Sequence, residues 1–117
     1  MSENRLGVVE SCFADIVWEH APMTTKELVK LCEQQLNWKR TTTYTVLGRL
    51  SERGLFRNDG GQVTSLVDRD TFYGHRSRQF IEESFGGSLP AFLAAFASHR
   101  PLSEDEVAQI RRLIEEV

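Results

Sequence analysis

The chain is poor in the residues that build disulfides and metal sites. Its 117 residues include only two cysteines, Cys12 and Cys32, and three histidines, His20, His75 and His99. Both cysteines fall on apolar positions of predicted helices, so we expect two reduced core thiols rather than a disulfide. The histidines lie far apart, and there is no C-x-C or C-x-x-C pair. We therefore expect no metal ion, no other cofactor and no small-molecule ligand.

Long apolar runs and catalytic motifs are also missing. No stretch approaches the roughly 18 consecutive apolar residues of a transmembrane helix, and Glu3 and Asn4 do not fit a signal peptide. A cytoplasmic location is therefore expected. There is no G-x-S-x-G, H-E-x-x-H or phosphate-binding glycine loop, and Gly60-Gly61 is too short for the last of these. We expect no enzymatic activity.

The chain also lacks an overall excess of positive charge. Its 14 basic and 17 acidic residues give a net charge of -3, whereas nucleic-acid-binding proteins are usually basic. The basic residues are concentrated, however, because residues 38 to 57 carry a local charge of +4. Phosphates respond to charge within a Debye length of about 8 to 10 Å. The local excess comes from five basic residues against Glu52 alone: Lys39, Arg40, Arg49, Arg53 and Arg57.

That basic stretch contains the sequence WKRTTTYTVLGRLSERG, which predicts a helix with two different faces. At 3.6 residues per turn, one face is apolar or small, formed by Thr43, Val46, Leu47 and Leu50. The opposite face is made of short hydroxyl side chains with basic residues at its edges. Short side chains let a helix lie deep in the major groove, while hydroxyls and cations bind phosphates and base edges. The alternative is the solvated face of an ordinary core helix.

The flanking segments favour the first interpretation. Thr24 and Glu27 have capping-box spacing and begin a helix, which the short segment from Leu36 to Arg40 separates from the next one. Gly54 is a candidate C-cap, and LFRNDGGQVTSLV alternates around Asp59-Gly60-Gly61 like a hairpin. This order is typical of a winged helix-turn-helix. An earlier helix, roughly Leu6 to His20, is predicted to bury Val9, Cys12, Phe13, Ile16 and Val17.

The rest of the chain predicts three further helices. Asp68 can cap the first, Gly86-Gly87 ends it, and the uncharged segment SLPAFLAAFAS follows. Ser103 and Glu106 form a capping box for the last. We therefore expect a mainly α protein with a small β wing, divided into a winged-helix DNA-binding domain (1–68) and a helical dimerisation domain (69–117). A homodimer would cover the apolar surface, and an intramolecular bundle is the alternative. The predicted dimer contacts are Phe80, Leu89, Phe92, Leu93, Phe96, Ile110 and Ile114.

Taken together, these segments resemble the BlaI/MecI/CopY family of penicillinase-type repressors. The resemblance extends from about Leu6 to Val117. Its most specific features are Trp38 before the recognition helix, the T-x-x-L-x-R-L spacing that ends in Arg49-Leu50, the glycine at Gly54, and the final helix introduced by Leu102-Ser103.

The resemblance implies a homodimeric cytoplasmic repressor that binds double-stranded operator DNA at an inverted repeat of the TACA/TGTA kind. In that family, cleavage of an Asn-Phe bond by a membrane-embedded sensor protease releases the DNA, and β-lactam resistance genes are common targets. The aligned bond here is Ala95-Phe96. The copper-responsive branch has a cysteine-rich tail, which this chain lacks after Glu116-Val117, so metal sensing is not expected.

The residues and the resemblance together give a set of expected DNA contacts. The wing offers Asp59 and Gln62 where a basic residue is common, so strong contacts between wing and phosphate are not expected. A winged-helix module that binds a protein instead of DNA is the alternative function, and salt dependence would separate the two because phosphate contacts weaken steeply with salt. The expected DNA-binding residues are Lys39, Arg40, Thr41, Thr42, Tyr44, Thr45, Arg49, Arg57 and Gln62.

Overall fold

A computed structural model describes residues 6–116, so residues 1–5 and 117 of the two predicted domains lie outside it. The described part is mostly helical with one small sheet, which confirms the predicted fold class. No helix within it combines the length and apolar character needed to cross a bilayer. The elements are α1 (Val8–His20), β1 (Met23–Thr24), α2 (Thr25–Leu36), α3 (Arg40–Glu52), β2 (Phe56–Asp59), β3 (Gln62–Ser65), α4 (Arg69–Phe85), α5 (Leu89–His99) and α6 (Glu104–Glu115).

The chain divides into two compact units, and the division falls between Arg76 and Ser77, inside α4. The first unit comprises α1 to β3 and the first turns of α4. The second comprises the rest of α4, α5 and α6. The boundary expected from sequence, between residues 68 and 69, therefore lies before α4, whereas the structure places the first turns of this helix with the winged unit.

The sheet of the first unit is antiparallel and has the strand order β1-β3-β2. Strands β2 and β3 form the predicted hairpin, with Phe56 opposite Ser65 and Asp59 opposite Gln62. Gly60 and Gly61 form its two-residue turn with φ of 61° and 91°, a conformation that favours glycine because side chains clash there. The short strand β1, which pairs with β3, was not predicted.

Local side-chain and backbone signals set the ends of α2 and α3. The Thr24 hydroxyl accepts a hydrogen bond from the Glu27 amide at 3.1 Å, as the capping-box spacing predicted. Asn37 ends α2 in the left-handed conformation, with φ of 55°. The C-cap of α3 is Arg53 rather than the predicted Gly54, which follows it with φ of 84°. Because α2 ends at Leu36 and α3 begins at Arg40, a turn of only three residues, 37–39, separates the two helices.

The core of the first unit forms where α1, α2, α3 and the sheet meet. The predicted inner face of α3 is confirmed, because Thr43, Val46, Leu47 and Leu50 are all buried. Cys32 is buried as predicted, and burial raises the pKa of its thiol, an effect that the neighbouring Thr43 hydroxyl opposes only in part. The large side chains that are fully buried include those of Phe13, Phe56, Leu28, Leu50, Val17 and Val63.

Two of the predicted core positions of α1 are wrong. Phe13, Ile16 and Val17 are buried, but Val9 and Cys12 are exposed. Val9 lies in the first turn of α1, where both valines are exposed to solvent. Cys12 lies at the edge of the buried face of α1, which is centred on Phe13 and Val17. Cys12 is therefore a surface thiol rather than a core thiol.

Aromatic rings connect α1 to the sheet and to the start of α4. The ring of Trp18 lies 5.7 Å from that of Phe56 and 5.7 Å from that of Phe72. Its indole Nε1 donates a hydrogen bond of 2.9 Å to the carbonyl of Val67, just after the sheet. Trp18 is half-buried, and this bond satisfies its N–H while it joins α1 to the segment that follows β3.

The second unit is organised around phenylalanines on α4 and α5. The ring of Phe92 lies 5.5 Å from that of Phe85 and 6.1 Å from that of Phe80. The predicted stop at Gly86-Gly87 is confirmed, since both have positive φ after the last residue of α4. The predicted capping box of α6 is also present, and the Arg100 guanidinium that binds Glu106 lowers the pKa of this carboxyl to about 2.

We expect Phe56→Ala to destabilise the protein by about 3 to 5 kcal/mol, since it removes a fully buried ring between Phe13 and Trp18. Leu66→Ala is the matched control, because this leucine is exposed and should contribute less than about 0.5 kcal/mol. Urea unfolding followed by circular dichroism measures both. Equal losses in the two variants would contradict the proposed position of the core.

Candidate nucleic-acid interface

The outward face of α3 is the candidate contact surface. Thr41, Thr42, Thr45 and Gly48 are exposed, opposite the buried face of the same helix. The Thr45 hydroxyl donates a hydrogen bond of 2.9 Å to the carbonyl of Thr41, which leaves its lone pairs available as acceptors. Gly48 has nothing within 4 Å of where a Cβ would lie. The face is therefore shallow and polar, as the sequence predicted.

The entrance of α3 carries two cations. Lys39 is the N-cap residue and Arg40 the first helical residue, and both are exposed. The Arg40 guanidinium lies 5.7 Å from the centre of the Tyr44 ring, a cation–π arrangement. Positive charge at the N-terminus of a helix opposes the helix dipole and does not stabilise the helix. These two cations are consequently better explained by an anionic partner than by folding.

Arg40 and Tyr44 form a groove with the beginning of α2. Its other lining residues are Thr25, Lys26 and Val29. Hydrogen bonding with the Thr25 hydroxyl, and then with the Arg40 guanidinium, lowers the pKa of Tyr44. The groove thus presents two cations, a phenol and a hydroxyl to the same space, and these are groups that bind phosphates in protein–DNA complexes.

The wing, which is the hairpin of β2 and β3, is joined to the start of α2 by a backbone hydrogen bond. The amide of Thr25 donates a hydrogen bond of 2.9 Å to the carbonyl of Gly61, at the tip of the hairpin. The amide of Gly61 in turn donates to the side-chain oxygen of Asn58 at 3.1 Å. The tip of the wing, the start of α2 and the groove therefore meet at Thr25.

The wing itself carries little free positive charge. Arg57 is exposed in β2, with its guanidinium 3.9 Å from the Asp59 carboxylate. Gln62 is exposed at the start of β3 and lies opposite both Thr24 and Asp59 in the sheet. This geometry is consistent with the expectation that the wing contributes weak phosphate contacts.

The predicted contact residue Arg49 is engaged with α1. Its guanidinium donates a hydrogen bond of 3.3 Å to Glu10, and Arg53 lies 3.9 Å from the same carboxylate. Arg49 remains 55% exposed in its side chain, whereas Glu10 is only 19% exposed. The local charge of +4 counted along the sequence is therefore partly neutralised by Glu10 and Asp59, which lie outside the counted stretch.

Acidic groups are gathered in another groove of the same unit. Since carboxylates repel phosphates, this surface is unsuited to nucleic acid, and the outward face of α3 remains the candidate. Within residues 6–116, no group of three or more histidine, cysteine or acidic side chains could hold a metal ion. The acidic groove is lined by Asp15, Trp18, Glu19, Ala21, Ser65, Asp68, Arg69 and Asp70.

The residues predicted to form a dimer lie in the second unit, and many are exposed. Leu89 is 54%, Phe96 42% and Ile114 61% exposed, and no described residue of α5 or α6 is fully buried. Phe80 is exposed too, whereas Phe92, Leu93 and Ile110 are half-buried. Leu93, Ile110 and Ile114 also line one apolar groove together with Leu102 and Val107.

The predicted cleavage bond, Ala95-Phe96, lies in the middle of α5. Both residues are exposed, but the carbonyl of Ala95 accepts a hydrogen bond of 2.8 Å from the Ser98 hydroxyl and the bond has helical backbone.

The roles of Glu10 and Thr25 at this surface were not predicted from the sequence. Glu10 lies 39 residues before Arg49, and Thr25 meets the wing through backbone atoms. Both contacts join residues that are far apart in the sequence, so the local spacing of residues does not predict them. The Gly60-Gly61 turn did indicate the hairpin, but it did not indicate what the tip of the hairpin contacts.

Known proteins are similar to this chain over most of its length. The sequence model described as "Penicillinase repressor" matches residues 6–116. The chain is 26% identical over 105 residues to the "Penicillinase repressor" of Bacillus licheniformis, covering 86% of this chain and 82% of that protein. It is 24% identical over 106 residues to the "Methicillin resistance regulatory protein MecI" of Staphylococcus aureus, covering 87% and 86%. An "Uncharacterized 16.5 kDa protein" of Latilactobacillus sakei is 22% identical, over 85% and 70%.

The contact between Tyr44 and Thr25 can be tested by titration. The chain has two tyrosines, so a Tyr73→Phe background leaves Tyr44 alone, and its tyrosinate absorbance at alkaline pH should show a pKa below the ordinary value of about 10. Adding Thr25→Val should raise that pKa, because the hydrogen bond that favours the phenolate is lost. Thr42→Val, outside the groove, is the control and should change nothing. Identical midpoints in all variants would contradict the contact.

Proposed function

This chain belongs to the penicillinase repressor family, and we propose that it represses transcription by binding double-stranded operator DNA through α3. The relatives whose names state a role are a penicillinase repressor and methicillin resistance regulatory proteins. The observation that carries the proposal is the outward face of α3, where small hydroxyl side chains lie between a cationic entrance and a glycine. A helix of this kind fits the major groove with its backbone close to the base edges.

The contacts divide into two classes. Lys39, Arg40 and Tyr44 would bind phosphates, because Arg40 and Tyr44 line the groove at the start of α2 and Lys39 precedes Arg40 at the exposed entrance of α3. Thr41, Thr42 and Thr45 would face the base edges, as they occupy the exposed side of the first two turns, and Arg49 would follow one turn later. Arg57 and Gln62 would add weak contacts from the wing.

A homodimer is the proposed functional form. The apolar side chains left exposed on α5 and α6 support it, since surfaces of this kind are usually covered in solution. Two copies related by a two-fold axis would present two α3 helices to an inverted repeat, for which the TACA/TGTA type is the operator expected in this family. Two linked half-site contacts bind far more tightly than one.

Release of the DNA would follow from damage to this dimer. Cleavage at Ala95-Phe96 by a membrane sensor protease would cut α5 in two and separate Phe96 from Phe92, whose rings lie 6.2 Å apart. Proteases bind extended chain, so the helix would first have to unwind around the bond. β-lactam resistance genes are the targets that the names of the relatives suggest.

Salt dependence tests the proposal. The wild-type chain should bind a duplex carrying a TACA/TGTA inverted repeat with an affinity that falls steeply as salt rises. Lys39→Gln should weaken binding to all duplexes alike and reduce the slope of log affinity against log salt by about one unit, since one phosphate contact is lost. Fluorescence anisotropy at several salt concentrations measures both.

The matched control is Lys30→Gln, which removes the same charge from an exposed position of α2 outside the groove. It should leave the slope unchanged. Wild-type binding that does not depend on salt would contradict the repressor and favour the protein-interaction module instead. A loss in Lys39→Gln that depends on base sequence would show that Lys39 contacts bases rather than phosphates.

We expect Phe96→Asp to convert the dimer to monomers. Association would carry the new carboxylate into an apolar interface, and the nearby Arg100 already pairs with Glu106, so burial of this charge should cost several kcal/mol. Affinity for the inverted repeat should then fall by about a hundredfold or more, because the two half-site contacts are no longer linked. Light scattering and anisotropy on the same sample measure the two effects.

Ala94→Asp is the control for the Phe96 variant, since it places the same charge on an exposed alanine of the same helix. It should stay dimeric. A Phe96→Asp protein that remains dimeric would place the interface elsewhere. A monomeric variant with undiminished affinity would mean that the second copy takes no part in recognition.

A further inference from the structure

One carboxylate connects the start of α1 to the last turns of the recognition helix. Oε1 of Glu10 accepts a hydrogen bond of 3.2 Å from the Gly7 amide and so caps α1. Its Oε2 accepts the hydrogen bond from Arg49 Nη1 at 3.3 Å. The side chain of Glu10 is mostly buried, and it is held from two sides, by the Gly7 amide and by the arginine.

This arrangement restricts the conformation of the Arg49 side chain but uses only part of its hydrogen-bonding capacity. An arginine guanidinium has five N–H donors in a rigid plane, and the hydrogen bond to Glu10 uses one of them. The other donors are available to a base edge, and the side chain remains about half exposed. A guanidinium held in this way loses less conformational freedom on binding than one that is free in solution.

The same carboxylate also lowers the attraction of this end of α3 for phosphates. Glu10 lies within ion-pair distance of both Arg49 and Arg53, so part of their positive charge is neutralised before any DNA approaches. Binding to phosphates alone depends on net positive charge, whereas a bidentate contact to guanine depends on the direction of the guanidinium. Glu10 therefore affects the two kinds of binding in opposite directions.

We propose that Glu10 is a positioning residue that directs Arg49 toward a base edge and so increases the discrimination between operator and other DNA. This inference rests on the proposed function, because it assumes that α3 enters the major groove. It goes beyond that function by assigning part of the sequence specificity to an acidic residue of α1 that itself makes no contact with DNA.

The test compares Glu10→Gln with the wild-type chain on two duplexes. One carries the TACA/TGTA inverted repeat, and the other has the same length and composition in scrambled order. Glutamine can still accept the capping bond but carries no charge. The ratio of operator to scrambled affinity should fall about two- to tenfold, the cost of ordering a released side chain. Binding to the scrambled duplex should tighten, and its salt slope should steepen by about one unit.

Two further variants show whether the effect passes through Arg49. In an Arg49→Gln background, where the ratio is already reduced, Glu10→Gln should reduce it no further. Asp15→Asn is the matched control, because it neutralises another acid of α1 that pairs with an arginine, Arg69, at 3.0 Å. This control should leave both the ratio and the slope unchanged.

The remaining outcomes separate failure of the inference from failure of the function. A wild-type chain that shows no salt-dependent binding to either duplex would remove the function and the inference together. If wild type discriminates but Glu10→Gln merely lowers the melting temperature and leaves the ratio unchanged, Glu10 has a structural role alone and the inference is wrong. It is also wrong if Arg49→Gln leaves the ratio unchanged, since Arg49 then reads no base.

Discussion

The arrangement of the first unit depends on the burial of one face of α3. Successive side chains on a helix are about 100° apart. The burial of Thr43, Val46, Leu47 and Leu50 therefore places the opposite face, which carries the threonine hydroxyls, toward solvent. The core that covers the buried face is formed by α1, α2 and the sheet. Its fully buried aromatic rings, Phe13 and Phe56, resist the volume changes that would let α3 rotate.

The electrostatics of the outward face depend on pairings that cross the fold. Lys39 and Arg40 lie at the entrance of α3, where Arg40 lines a groove with Thr25, whereas Arg49 and Arg53 are turned toward Glu10. Positive charge is therefore most available at the N-terminal end of the helix. A DNA phosphate bound there would set how deeply α3 enters the major groove of the DNA, and the threonines would then lie over the bases.

The second unit supplies the apolar surface of the proposed dimer. Its phenylalanines pack against one another within the unit, yet α5 and α6 retain exposed apolar side chains, including Phe96 and Ile114. These exposed apolar side chains are poorly solvated, and a second copy of the chain would cover them. The same helix contains Ala95-Phe96, so a single cut there would disrupt the surface on which the proposed dimer depends.

The sequence by itself determined the elements that local chemistry controls. The capping pairs Thr24/Glu27 and Ser103/Glu106, the glycines after α3 and α4, and the two-glycine hairpin each act within a few residues, so the helices, the wing and the two faces of α3 could be predicted. Only the tertiary structure decided what α1 exposes, where β1 pairs, and which cations are neutralised. Val9, Cys12 and the pairing of Glu10 with Arg49 depend on how α1 lies against the other elements, and periodicity along one helix carries no information about its neighbours.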